Sequence, residues 1–370
     1  MKNKIDYSSD WNLDPAPESI GHIKLKKKYE LFIGGKWVKP KSGKYFATIN
    51  PATEQKIADV AEAGQADVDA AVKAAKKAYD TVWSKLSGKE RGKYIYRIAR
   101  LIQEKAREFS VIESLDSGKV IRESRDIDIP LAAAHFFYYA GWADKLEYAF
   151  PNRQPKSLGV AAQITPWNFP MLMIAWKIAP ALAAGNTVVL KPAELTPLTA
   201  LYLGELIQNS GIPKGVVNIV TGYGESAGAA LAKHPDVDKI TFTGSTEVGK
   251  KIVEASIGNL KKVTLELGGK NPVVVFPDAD LEKVIPGAAR ACFFLQGQNC
   301  MAGTRLFVHE DIYEAVINGV KEMAEAFTIG HGLIPTNDFG PLISEVQKDR
   351  VLDYIQIGKE EGADLITGGE

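Results

Sequence analysis

Residues 158–191 read LGVAAQITPWNFPMLMIAWKIAPALAAGNTVVLK, and this run decides the fold. LGVAAQI (158–164) is a short apolar stretch of strand character, stopped by the two prolines of TPWNFP (165–170). Pro170 then opens a helix over 170–184, because the first turn of a helix has unpaired N–H groups in any case. Gly185 ends that helix, and TVVLK (187–191) is a second, buried strand.

The alternation continues downstream. A helix is expected over 195–208, a strand at VVNIV (216–220), a helix over 226–232, a strand at KITFTG (239–244) and a helix over 246–256. Such a series implies a mostly parallel sheet with helices on both faces. Sheets of this kind bind ligands at the carboxyl ends of their strands. Upstream, residues 1–30 are polar and Lys-rich, which reads as a loosely held arm. LFIGGKWV (31–38) reads as a hairpin turning at Gly34 and Gly35. Val68, Ala71, Val72, Ala75 and Tyr79 recur at helical spacing, and further helices are expected over 89–109 and 129–142. Downstream, VTLEL (263–267) and PVVVF (272–276) bracket a Gly-Gly-Lys-Asn turn. A helix over 281–295, a strand at 306–308 and helices over 312–327 and 345–361 follow. LITGGE (365–370) reads as a strand and turn of an unfinished α/β unit.

The bulk numbers exclude several classes. A chain of 370 residues implies two or three domains. Lys plus Arg and Asp plus Glu both number 45, so there is no basic footprint for nucleic acid. The start, MKNKIDYSSDWN, has no apolar core of signal-peptide length. The longest apolar stretches are too short for a bilayer span, so no membrane partner is expected. Two cysteines make no disulfide framework, which suits a reducing, cytoplasmic setting.

Five places carry candidate chemistry. Cys300 lies in FFLQGQNCMAGTR (293–305), where Gly and amide neighbours can bring backbone N–H groups to a thiolate; the alternative is a buried packing cysteine. The five histidines, at 22, 135, 234, 309 and 331, are scattered and there is no third cysteine, which argues against a metal. Glu266 is the odd residue in an apolar strand, either a general base or an outward-facing carboxylate. Asn168, between Trp167 and Phe169, is either an oxyanion donor or a structural amide. Lys191, Glu194 and FTGSTEVG (242–249) end strands of the parallel series, where a ribose and a phosphate would sit. Their plainer readings are a solvated turn and an N-cap at Ser245.

The ordered set TPWNFP, KPAE, FTGSTEVG, LELGGK, GQNC resembles the aldehyde dehydrogenase superfamily, from about residue 31 to the last. The resemblance implies an α/β protein: a Rossmann-like NAD-binding domain (1–134 and 157–267), a small β oligomerisation segment (135–156) and a catalytic α/β domain (268–370). It implies Cys300 as nucleophile, Glu266 as general base, and Asn168 with the Cys300 N–H as oxyanion donors. Cofactor contacts would come from Ile164, Thr165, Pro166, Trp167, Lys191, Glu194, Gly224, Phe242, Gly244, Ser245 and Gly268. Phe169, Met173, Trp176 and Phe294 would line the substrate tunnel. The presence of Glu266 argues against the acyl-CoA-forming branch. Glu194 favours NAD, with NADP as a second cofactor that Lys191 leaves open. A neutral aliphatic or aromatic aldehyde is the expected substrate, and a homodimer or homotetramer the expected assembly. Family members continue past this end point, so the catalytic domain is expected to be cut short. The alternative expectation is an impaired cofactor-binding or structural protein of the same lineage.

Overall fold

The computed structural model describes residues 18–369; residues 1–17 of the polar arm lie outside that range. From residue 18 on, the arm is fastened. The Glu18 N–H donates to the Leu333 carbonyl, and Tyr29 is buried in strand β1 (Lys28–Tyr29).

The hairpin forms as its glycines dictate. β2 (Leu31–Ile33) and β3 (Lys36–Val38) pair antiparallel, and Gly34 and Gly35 take φ of 61° and 75°. Those angles suit glycine at both central positions of a tight hairpin. β4 (Tyr45–Ile49) and β5 (Lys56–Ala61) form a small sheet with β1. The helical stripe from Val68 to Tyr79 becomes α1 (Gln65–Thr81), with Val68, Ala71, Val72 and Ala75 buried and Tyr79 half-buried. α2 (Gly88–Glu104) starts at a reciprocal cap: the Glu90 N–H donates to Ser87 Oγ at 3.2 Å, and the Ser87 N–H to Glu90 Oε2 at 2.8 Å. The single helix expected over 89–109 is broken at Lys105, and α3 (Ala106–Ser117) follows and ends at Gly118, φ 79°. α4 (Ile121–Glu123) and a π-turn lead into α5 (Ile129–Trp142).

The decisive run folds as read: β6 (Val160–Ile164), α7 (Pro170–Ala183) and β7 (Thr187–Lys191), after a one-turn α6 (Leu146–Ala149). α8 (Leu198–Asn209), β8 (Val217–Ile219), α9 (Ala229–Lys233), β9 (Lys239–Gly244), α10 (Thr246–Ser256) and β10 (Lys262–Leu267) complete the series. Seven strands make one sheet in the order β10-β9-β6-β7-β8-β2-β3, parallel from β10 to β8. Side chains alternate across it: Val188 and Leu190 enter one core with Ile95, Phe136 and Ile178, while Val189 enters the other with Val68, Val72 and Ile240. Each such buried side chain contributes about 1.5–3 kcal/mol. Beyond the sheet lie β11 (Pro272–Val275), α11 (Leu281–Phe293), β12 (Arg305–Val308), α12 (Tyr313–Ala326) and α13 (Glu345–Glu360), with β11 and β12 paired parallel.

Two expected strands do not form. Residues 135–156, expected to hold a small β element, are helical to Trp142, then contain α6 and turns. Residues 364–369 form no strand either. A strand exists only where a neighbour completes its hydrogen bonds, and neither segment lies along one. Among the described residues no helix is long and apolar enough to cross a membrane.

Candidate active site

The sheet register builds one edge of the site. Ile164 pairs with Lys191 on one side and with Phe242 on the other, so the carboxyl ends of β6, β7 and β9 lie level. Lys191 is buried and its Nζ donates to Glu194 Oε2 at 2.7 Å. Thr165, directly after β6, is buried with an unpartnered Oγ1. Pro166 and Trp167 follow it, half-buried. Gly224 is exposed and begins the π-turn that leads into α9. A Cβ on Gly244 would sit 2.5 Å from the Phe242 ring and would force that ring to move. Ser245 caps α10, accepting the Val248 N–H at 3.3 Å, which is the plainer of its two readings. Gly268 is exposed just past β10. An orphaned hydroxyl, a paired ammonium and carboxylate, and a backbone bare of Cβ at a helix N-terminus fit a ligand carrying hydroxyl and phosphate groups.

The second edge is the cysteine loop. α11 runs into a turn where Leu295, Gln296 and Gly297 take φ of 56°, 55° and 70°. Left-handed geometry costs a non-glycine residue roughly 1–2 kcal/mol, so this reversal is held by its surroundings. Gln298 follows, then Asn299 and Cys300, which is exposed. Asn271 Nδ2 donates to the Cys300 carbonyl at 3.1 Å, and the Met301 N–H to Asn299 Oδ1 at 3.0 Å. Asn168 Nδ2 donates to the Gln298 carbonyl at 2.8 Å, and Asn168 Oδ1 accepts the Phe169 N–H at 3.1 Å. The amide thus reaches the loop two residues before the thiol. Phe169, Leu172, Met173 and Leu295 form a small buried cluster, with Phe294 against it and the Phe169 and Phe294 rings 6.3 Å apart.

The structure therefore brings together Asn168, Phe169, Met173, Phe294 and the Cys300 loop. Trp176 stands apart from that cluster. It is 40% exposed, its ring lies 5.5 Å from His135, and it lines a separate 470 Å³ cleft with Gln163 and Lys177. Glu266 is exposed on the edge strand β10, opposite Thr243. Among the described residues no hydrogen bond joins it to the cysteine loop.

Two features escaped the sequence reading. Lys177, buried in α7, donates to Thr243 Oγ1 at 2.7 Å. Burial pulls its ammonium down to about 8, and the charge of nearby Glu266 opposes that shift. The available signal was one lysine in an otherwise apolar helix. The other feature is a buried charge cluster of Glu113, Lys119, Glu123 and Asp128, whose members read in sequence as ordinary helix-surface residues.

A parallel sheet with Lys191 and Glu194 at its carboxyl edge, with an exposed cysteine and a fixed amide on the neighbouring loops, is the plan of a nucleotide-dependent oxidoreductase. The chain belongs to the aldehyde dehydrogenase family, whose model matches residues 37–370. It is 49% identical over 356 residues to the putative aldehyde dehydrogenase DhaS of Bacillus subtilis, covering 93% of this chain and 72% of that one. It is 46% identical to human retinal dehydrogenase 2, covering 100% of this chain and 75% of that one. Among solved structures, the NAD+ complex of aldehyde dehydrogenase from Bacillus cereus superposes with a TM-score of 0.90 at 44% identity, covering 94% of this chain and 72% of that one.

Proposed function

We propose that the protein oxidises a neutral aliphatic or aromatic aldehyde to the carboxylic acid, with NAD as hydride acceptor. The observation that carries the reading is the 2.8 Å bond from Asn168 Nδ2 to the Gln298 carbonyl, which fixes an amide beside the only exposed thiol among the described residues. In this reading the Cys300 thiolate attacks the aldehyde carbon, forming the S–C bond and moving the carbonyl electron pair onto oxygen. An amide NH2 carries two donors; one holds Gln298 and the other meets the oxyanion, together with the Cys300 N–H. Each such donor in a dry site is worth about 3 kcal/mol of transition-state stabilisation. When bound, the nicotinamide would supply the hydride acceptor. As the C=O bond re-forms, the C–H pair leaves and a thioester remains on Cys300. Glu266 takes a proton from water, the hydroxyl attacks the thioester, the C–S bond breaks, and the acid departs from the restored thiolate.

Lys191 and Glu194 would hold the adenosine ribose, since a carboxylate accepts from a 2′-hydroxyl and repels a 2′-phosphate. Ile164, Thr165, Pro166, Trp167, Gly224, Phe242, Gly244, Ser245 and Gly268 would line the rest of the cofactor. The apolar cluster of Phe169, Met173, Leu295 and Phe294 supports an uncharged substrate. The test is NADH formation with propanal and benzaldehyde, followed in wild type and Cys300→Ser. The variant should lose turnover by at least about a thousandfold while NAD binding survives. Turnover retained in Cys300→Ser would end the assignment.

A further inference from the structure

The buried charges around Lys119 are not used in that mechanism. We infer that this cluster sets the nucleophile loop against the oxyanion loop, with Glu113 and Glu123 as positioning residues on its two arms. The inference rests on the roles proposed for Cys300 and Asn168.

Lys119 Nζ lies 2.6 Å from Asp128 Oδ2 and 3.5 Å from Glu113 Oε1. It also sits 4.7 Å from the centre of the Phe169 ring. Glu113 accepts the Met171 N–H, at 3.2 Å to Oε2 and 3.4 Å to Oε1. Met171 is in the first turn of α7, just past Asn168 and Phe169. Glu123 Oε1 accepts the Leu295 N–H at 3.4 Å, and Leu295 is the first of the left-handed residues leading to Cys300. The Asn168 to Gln298 bond closes the circuit. Two loops far apart in sequence are thus fastened by backbone N–H groups to two buried carboxylates; Lys119 pairs directly with Glu113, and its charge acts on Glu123 through space.

The energetics favour a positional role. Lys119 pairs with two carboxylates, Glu113 and Asp128, and feels the charge of a third, Glu123, with little solvent contact; Glu123 Oε2 and Asp128 Oδ1 are buried without partners. Burial pushes both Glu113 and Glu123 up to about 7. Apolar residues of similar volume would stabilise such a region as well or better. What they lack is an acceptor for a specific N–H in each loop, and a small displacement at a reacting centre is costly in rate.

The test uses the whole chain with Glu123→Ala, Glu123→Gln and Cys300→Ser. Alanine removes the acceptor for Leu295 N–H; glutamine keeps one without the charge. We expect kcat and the iodoacetamide alkylation rate of Cys300, read by peptide mass, to fall together in Glu123→Ala by roughly ten- to a hundredfold. Aldehyde KM and NAD affinity should stay within about twofold, and Glu123→Gln should recover most of the loss. If Glu123→Ala does not fold, Glu123→Asp, which withdraws the carboxylate by one methylene, takes its place with the same expectation. Equal losses in the glutamine and shortened variants, or no loss in either, overturn the inference. Should Cys300→Ser keep its turnover, the proposed function falls and takes this inference with it. An inactive Cys300→Ser beside a normal Glu123→Ala refutes the positioning role alone.

Discussion

β6 and β7 are buried at every residue, whereas β10 and β12 alternate between half-buried and exposed, and β11 does so until its last residue, the buried Val275. The first pair is covered on both faces, by α7 on one side and by α1 on the other. The second group presents apolar side chains to solvent, including Val274 and Phe307 at 58% and 51% exposure. The fold is held by the closed half, while the thiol and the candidate base lie in the open half. Substitutions in one should cost stability and in the other rate.

The sharpest break of that division would come at Glu266. Glu266→Gln should slow thioester hydrolysis by about 10²–10⁴-fold without unfolding the protein, and stopped-flow should show a burst of NADH before a slow steady state. Steady-state rates equal to wild type would remove Glu266 from the chemistry. Asn168→Ala comes next, with an expected loss of about 10²–10³ in kcat at near-constant NAD affinity. Unchanged kcat in that variant would leave Asn168 a purely structural amide. For stability, Leu190→Ala in the closed half should cost about 2–5 kcal/mol by urea unfolding. Val274→Ala in the open half should stay within about 0.5 kcal/mol. Equal costs would erase the contrast.

The smallest effect concerns pH. Asp116 is fully buried, and burial pushes its carboxyl up to about 7, partly offset by bonds from Thr48 and the Leu198 N–H. A raised folded pKa means that the folded state holds a proton the unfolded state releases. The stability from this group is complete below the ordinary carboxylate pKa of about 4 and is lost as pH rises to 7. Asp116→Asn should flatten the fall in unfolding free energy across that window; an unaltered slope would contradict the assignment.

The elements legible in sequence were those with local causes. Pro170 starts α7, the paired glycines turn the hairpin, and continuous apolar runs mark strands covered on both faces. Asn168 stood out because an amide between two aromatic residues needs a partner, and it has one in Gln298. What escaped was decided by distant neighbours. Glu113 and Lys119 sit in ESLDSGK, where charge normally marks a solvated face; only the packing of α3 against α8, α5 and the π-turn before α5 makes it an interior. Lys177 is buried because β9 supplies two threonine hydroxyls. Residues 135–156 lack a strand because no ladder meets them. Phe169 and Met173, four apart, share a stripe, while Trp176 lies on the flank that meets α5.

The opening hairpin has a consequence for how the chain is made. β2 pairs with β8, and the Gly34 N–H is satisfied by Asn218 Oδ1, 184 positions later. A ribosome adding about 5–20 residues per second needs roughly ten to forty seconds to deliver that partner. Throughout the wait Leu31, Phe32 and Trp37 form a greasy, unpaired ribbon at the head of the nascent chain. Closing so long a loop comes late and is entropically costly. The N-terminal hairpin is therefore a piece in need of a chaperone's shelter during synthesis, although in the finished molecule Leu31 and Phe32 are fully buried.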